Sequence, residues 1–488
     1  MNSTPRSLTA SFVAQALDRE NLRIAKTPVL EVEFQNITTD SRKVIPGSLF
    51  IAIRGETFDG NQFVNQAVAQ GARGILCHAG TVTQHPPDVA VFEVPDTLSA
   101  YRTLAAAWRE EFSIPVVVVA GSAGKTTTKE LLAAMLQGKW PRVLKTQGSQ
   151  NGFVGIPLTL LELNPHHQAA IIEVGIDEIG AMVQHMNLVQ ATASVLTAIG
   201  PEHLEKLKDV PTVAAEESIA LTSVAEQGGL VAVHLDDPWI QPLLAKMTKG
   251  RKLGFSLEQV ALPQSLCASV SPDKKALSLE GQTFTLPLPG KHNASNFLAA
   301  LTIARGLGLT WEEIKSGLTT FQGAAGRSEV KLLAGKSSVI CDYYNAQPAS
   351  VSAGLELLQD LSHETPRWAC LGDMLELGPE EETFHRQIAP QLVRLQIEHV
   401  LLFGPRMRFL AEELGRLHYR GKFQHFDSHA QLAETLVKNA QPGDTILIKG
   451  SRGMKMEEVW KILEAYATAH WAHDKTKPHE HSDPASHA

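Results

Sequence analysis

The chain has 488 residues, 43% hydrophobic and 20% charged, with a formal net charge of -8. That length exceeds one ordinary core, so about two to four soluble globular domains are expected. The negative balance argues against nucleic acid, and no run of roughly 18 apolar residues suits a membrane span. Cys77, Cys267, Cys341 and Cys370 are far apart and lack paired metal-ligand spacing, which suits a reducing compartment. The start, MNSTPRSLTASFVAQALDRE, lacks the apolar core of a signal peptide and mixes its residues as an amphipathic helix does. Cytoplasmic location is the expectation.

In chain order, residues 1–112 read as short strands and helices. SLFIAIRG (48–55) is strand-like, and NQFVNQAVAQGA (61–72) is helix-like and stops at Gly71. Pro115 then opens VVVVA, an apolar run suited to a strand buried on both faces of a parallel sheet. AAIIEVG (169–175), ASVLTAIG (193–200) and GLVAVHL (229–235) follow with helical stretches between them. This alternation predicts a central α/β domain over 113–326. It ends in a turn-rich strand region, 255–290, and a helix over 293–306. From SSVICDYY the alternation restarts with WACLGDM, EHVLLFGP and DTILIKGS, separated by helical runs such as QLAETLVKNA. A second doubly wound unit over 327–466 is expected. Residues 467–488 form a polar His- and Pro-rich tail, expected to be disordered, with metal binding as the alternative.

The strongest local signal is GSAGKTTTKE, directly after the VVVVA strand. Gly121, Ser122, Ala123 and Gly124 allow backbone N–H groups to close around phosphate oxygens at a helix N-terminus. Lys125 can reach the β- and γ-phosphates of ATP, the Thr126 hydroxyl can ligate magnesium, and Thr127 completes the nucleotide set. Val119 stands where the commonest form of this loop has a glycine. A glycine turn that merely caps the next helix is the alternative. Glu173, at the end of AAIIEVG, is placed to hold magnesium directly or through water. His203 and Glu205 follow in GPEHLE, although magnesium favours oxygen ligands and a capping role for His203 stays open. The next helix carries Glu216 and Glu217, for which a solvated face is the plain alternative.

In this order the segments resemble the Mur ligases of peptidoglycan synthesis, over nearly all the chain except the tail. The resemblance implies an α/β protein of three domains: an N-terminal UDP-binding domain, a central P-loop ATPase domain and a C-terminal Rossmann-like domain. TTDSRKVIPGSLFIAIRGETFDGNQF is similar to the family's UDP-sugar segment, placing Asp40, Ser41 and Arg42 near the uridine diphosphate. A stable turn is the alternative for those three. NGFVGIP resembles the loop facing substrate and phosphates through Asn151. GKHNASN resembles the adenine-contacting turn through Asn293 and Asn296, and GRSEV brings Arg327 to the nucleotide. By the same resemblance Asp342 is a ribose or nucleotide contact. Tyr344, Asn345, Lys449, Ser451 and Arg452 line the inter-domain cleft.

LGDMLELG and YNA, without a DNPR motif, are similar to the branch that adds D-alanyl-D-alanine. The implied reaction uses ATP and magnesium, UDP-N-acetylmuramoyl-tripeptide and that dipeptide, through an acyl phosphate. Lys125 would stabilise the transferring charge, with Thr126 and Glu173 on one magnesium and His203 on a second. A monomer is implied. The family also has a lysine, modified to a carbamate, at a position that is Glu217 here. Glu217 is expected to stand in for the carbamate on the second magnesium, the alternative being a lost contact. Gly152, Gln347 and Cys341 also depart from the family pattern, and GIDEIGAM lacks an acidic residue often seen there. Another Mur-type or folate-polyglutamylating ligase, or a nucleotide-binding partner without catalysis, are the alternative readings.

Overall fold

The computed structural model describes residues 7–19, 31–55, 58–84, 86–259, 264–333, 337–362 and 365–470. Three parallel or mostly parallel sheets and one small antiparallel sheet organise the described chain.

The first sheet pairs Asn36–Thr38, Ser48–Ile51, Gly74–His78 and Ala90–Val94 in chain order, all parallel. The strand expected over 48–55 ends early. Gly60 N–H returns to Ile53 O at 2.8 Å, and a Cβ on Gly60 would meet that oxygen at 2.8 Å. The helix expected over 61–72 is a tight turn, Gly60–Phe63, followed by Val64–Ala69. Asp59 caps it through Asn61 N–H at 3.0 Å, and Gly71 ends it in left-handed backbone at φ +97°. The helix Thr97–Glu110 joins this unit to the next. Trp108 Nε1 donates to Leu163 O at 3.0 Å, and the buried Arg109 donates to Val189 O at 3.0 Å. One hydrophobic core therefore runs through both units.

The central sheet has seven parallel strands. Its order is Ser265–Cys267, Arg251–Ser256, Leu230–His234, Ala193–Leu196, Val116–Ala120, Ala169–Glu173 and Val143–Lys145. Val116–Ala120 is buried on both faces, as its unbroken apolar run requires. Val116 and Val118 enter one core, Val117 and Val119 the other. From this strand the chain goes to the edge at Val143–Lys145, returns to Ala169–Glu173, then crosses to Ala193–Leu196. The strand order reverses there, and the crevice beyond the carboxyl ends is where such sheets bind ligands.

The last large sheet runs Glu329–Leu333, Ser337–Asp342, Thr445–Lys449, Arg367–Gly372, His399–Phe403 and Lys422–Phe426. Only its first strand is antiparallel. The helix Glu457–His470 takes in residues 467–470, which were expected to belong to the tail. Ala467 extends the buried stripe of Val459, Trp460 and Leu463. The rest of the tail lies outside the described residues. Among the described residues no helix is long and apolar enough to cross a membrane.

Candidate active site

The loop 121–124 links the buried strand Val116–Ala120 to the helix Lys125–Gln137. Gly121 and Gly124 have φ of +118° and +88°. A Cβ on Gly121 would stand 2.5 Å from Thr197 Oγ1, and one on Gly124 would stand 2.2 Å from Asn296 Oδ1. Both positions therefore exclude any larger residue. Ser122 N–H donates to Ala198 O at 2.7 Å, fastening the loop to the segment after Ala193–Leu196. The helix start beside it carries the positive end of the helix dipole.

Thr126 Oγ1 donates to Glu173 Oε1 at 3.2 Å, and Asn151 Nδ2 donates to the same oxygen at 2.8 Å. Ser149 Oγ lies 3.4 Å from Thr126 Oγ1. This buried, oxygen-rich corner beside the loop fits magnesium's preference for a hydroxyl, a carboxylate and phosphate oxygens. Lys125 Nζ donates to Gly121 O and lies 3.3 Å from Glu202 Oε2. Burial alone lowers the Lys125 ammonium, but Glu202, Glu217 and Glu173 outweigh it and hold its pKa above the ordinary lysine value.

Glu217 points inward from the helix Val210–Glu226 and is fully buried, and Glu216 is buried too, so the solvated-face reading fails for both. The Gly121 N–H donates to Glu217 Oε2 at 2.8 Å, and the Glu217 carboxyl meets that of Glu202 in a side-chain hydrogen bond. Burial, reinforced by the neighbouring Glu202, raises the Glu217 carboxyl well above the ordinary carboxylate range. Glu202 escaped the sequence reading; it is 3% exposed and bonds to the Glu217 carboxyl. Its signal was an acidic residue beside His203 in GPEHLE.

His203 has left-handed backbone (φ +47°), and its Nδ1 lies 2.5 Å from Glu376 Oε2 of LGDMLELG. That bond raises its pKa above the ordinary histidine value against burial. Of the four expected metal residues, Thr126 and Glu173 are in contact, Glu217 sits behind Gly121, and His203 faces Glu376. Among the described residues no three His, Cys, Asp or Glu side chains gather as a cation cage. Magnesium bound with waters and substrate phosphates needs only one or two carboxylates.

Ser122, Ala123, Gly124, Thr126, Thr127, Asn293, Asn296, Arg327 and Asp342 line one cavity of about 250 Å³ between the central and last sheets. Asn345 and Lys449, expected on the substrate side, line it as well; Gly121 and Lys125 do not. Asn293 spends its amide on Pro289 O at 2.8 Å, so it shapes the turn as well as facing the cavity. Asp342 accepts Ser328 N–H at 2.9 Å and Lys449 Nζ at 2.5 Å, and Lys449 also donates to Asn345 O at 3.0 Å. The Arg327 guanidinium stacks 4.2 Å over the Tyr344 ring, with Arg452 at 5.7 Å over the same ring. Ser451 Oγ donates to Ala346 O at 3.1 Å and accepts Leu375 N–H at 2.9 Å, tying two motifs together behind the cavity.

The sequence reading missed His234, His292 and Ser295 in this cavity. His234 Nδ1 is 2.7 Å from Thr197 O and its ring stacks on Phe255 at 4.6 Å. Burial pushes His292 down to about 4. Asp40, Ser41 and Arg42 lie in the first unit, away from this cavity. Asp40 caps the turn Ser41–Lys43 and pairs with Arg42 at 2.9 Å, which holds its carboxyl down at about 2.

Three family models match in chain order. "Mur ligase family, catalytic domain" covers residues 33–135, "Mur ligase middle domain" 119–304, and "Mur ligase, glutamate ligase domain" 326–452. The chain is 34% identical over 433 residues to the UDP-N-acetylmuramoyl-tripeptide–D-alanyl-D-alanine ligase of Bacillus subtilis, covering 88% of this chain and 92% of that one. It is 31% identical over 448 residues to the enzyme of that name from Escherichia coli, covering 90% and 95%. A crystal structure of MurF from Acinetobacter baumannii superposes with a TM-score of 0.82 at 27% identity, over 95% of this chain and 100% of that one. A MurF ligase of Thermotoga maritima in complex with ADP shares the fold, with a TM-score of 0.75 at 24% identity over 89% and 98%.

Proposed function

The chain belongs to the Mur ligase family, and from that premise we propose that it joins D-alanyl-D-alanine to UDP-N-acetylmuramoyl-tripeptide at the expense of ATP, in peptidoglycan precursor synthesis. It is an ADP-forming amide ligase. The observation that carries the reading is the phosphate loop with its Thr126–Glu173 pair, opening on a cavity that Asp342 and Lys449 close from the last sheet.

ATP supplies the phosphoryl group, and bound magnesium neutralises its charge. The tripeptide's terminal carboxylate oxygen attacks the γ-phosphorus as the bond to ADP breaks. The dipeptide amine then attacks the acyl carbon, the bond to phosphate breaks, and the amine proton is lost. The protein's part in such a transfer is positioning and charge stabilisation. Lys125 is placed for the transferring charge, and Thr126 and Glu173 would hold one magnesium. Glu217, buried beside Glu202 and Lys125 where its proton is favoured, would become a carboxylate in place of the family's carbamate only as the second ion displaces that proton, with His203 serving the same ion. Asn293, Asn296, Arg327 and Asp342 would hold the nucleoside. Asp40, Ser41, Arg42 and Asn151, with Tyr344, Asn345, Ser451 and Arg452, would serve the peptide substrates. We read residues 1–112 as the UDP-sugar unit, 113–326 as the ATP unit and 327–470 as the dipeptide-side unit of a cytoplasmic monomer.

The test is phosphate release from ATP with magnesium and both substrates, each omitted in turn, with the nucleotide-linked pentapeptide identified by mass. Release that needs both substrates is expected, and in carbon dioxide-depleted buffer added bicarbonate leaves the rate unchanged. ATP binding without turnover under any substrate set would point to a partner protein instead. Stimulation by bicarbonate would count against the Glu217 assignment.

A further inference from the structure

Lys129 lies one turn beyond Lys125 on the phosphate-loop helix and is fully buried. Its Nζ donates to Thr146 O at 2.8 Å and Gly148 O at 2.6 Å, and lies 3.3 Å from both Glu173 Oε2 and Glu130 Oε1. A buried ammonium needs hydrogen-bond partners and a compensating charge; the two carbonyls supply the first and the two carboxylates, as ion-pair neighbours, the second. Glu130 is shared with Lys145, so it is not reserved for Lys129.

What Lys129 touches divides the site in two. On one side is Glu173, whose Oε1 takes Thr126 and Asn151 while Oε2 faces Lys129. On the other are two carbonyls of the segment 146–151, which brings Ser149 to Thr126 and Asn151 to Glu173. Thr146 also accepts the Glu173 N–H through Oγ1 at 3.0 Å. One side chain thus orients the carboxylate and pins the segment that supplies its other neighbours.

We infer that Lys129 is a positioning residue for the divalent cation of this site: it holds Glu173 with one oxygen toward Thr126 and fixes the 146–151 segment around it. This rests on the reading of Thr126 and Glu173 as the magnesium pair. Lys129 is too deeply buried to meet substrate, so its effect passes through Glu173 and the segment. Removing it takes from a buried carboxylate the cation nearest its Oε2, and from two carbonyls their donor.

The experiment measures manganese binding to the ADP complex by electron paramagnetic resonance, for the intact protein and for Lys129→Met and Lys129→Gln. Glutamine keeps donors for the carbonyls but not the charge. Folding is checked by circular dichroism, and ADP affinity is measured without metal. Loss of groups that orient a metal ligand typically weakens the metal by about 10–100-fold, and a fall in that range is expected for the methionine variant. A smaller fall is expected for glutamine, with metal-free ADP affinity unchanged in both. The magnesium concentration for half-maximal turnover rises in parallel. Unchanged manganese affinity in a folded variant overturns the inference, as does failure of both variants to fold, which makes Lys129 structural only. If the intact protein itself binds no manganese with ADP, the underlying reading of Thr126 and Glu173 fails instead.

Discussion

At Glu217 the residue type and its surroundings pull against each other. A carboxylate on a helix is ordinarily a solvent group, yet here it sits behind the phosphate loop and accepts the Gly121 N–H. Its spacing from His203 was legible in the sequence; its depth was not, because that depends on which face of Val210–Glu226 packs against the sheet. His185 is a second buried group that no sequence pattern flags. It has no exposed surface, neither ring nitrogen has a partner, and its ring lies 4.7 Å from that of Phe153. Burial, with Arg102 adding, pushes its pKa down to about 4. An unfolded chain takes up this proton near the model-peptide value of about 6.5. Stability is therefore lost as pH falls from there toward 4, by at most about 3 kcal/mol for this group. His185→Leu should flatten that acid limb, as read by denaturant unfolding at pH 7 and pH 4.5, while the share due to His292 remains. An unchanged slope would show that His185 already finds a proton partner.

At the scale of elements, strands with unbroken apolar runs were readable, because burial on both faces demands them. Val143–Lys145 was not: three residues at a sheet edge carry too little pattern. Lys422–Phe426 is another edge, with its first three residues exposed. The contact between the short helix Leu204–Leu207 and LGDMLELG was also invisible, since its two sides come from different sheets. There Gly378 has φ +64°, and a Cβ on it would lie 3.2 Å from the Leu204 backbone. The adjoining His203–Glu376 bond raises the histidine pKa. The bond is thus fully present below the model-peptide value and is lost as pH rises through the raised value. Glu376→Gln should lower the His203 pKa, read from its imidazole proton resonances. A titration unmoved by that substitution would mean the two side chains do not meet in solution.

Across the whole molecule, three sheets contribute to one function by different routes. The first unit is welded to the central one through Tyr101, Trp108 and Arg109; Tyr101 donates to Val154 O at 3.0 Å, within the loop that begins at Asn151. The last sheet closes the cavity with Asp342 and Lys449, residues distant in sequence but on neighbouring strands. The order of motifs along the chain was enough to propose these units. The meeting of the central and last units in one cavity depends on the strand order, which sets Thr445–Lys449 beside Ser337–Asp342, and no local pattern encodes that. On the proposed function, these surfaces assemble a ligase that works through an acyl phosphate. Its most direct test uses UDP-N-acetylmuramoyl-tripeptide with both oxygens of the reacting carboxylate labelled with oxygen-18. Mass analysis should find one label in the released phosphate and one in the new amide of the pentapeptide. Unlabelled phosphate would mean that water, not the carboxylate, receives the phosphoryl group, and would contradict the account.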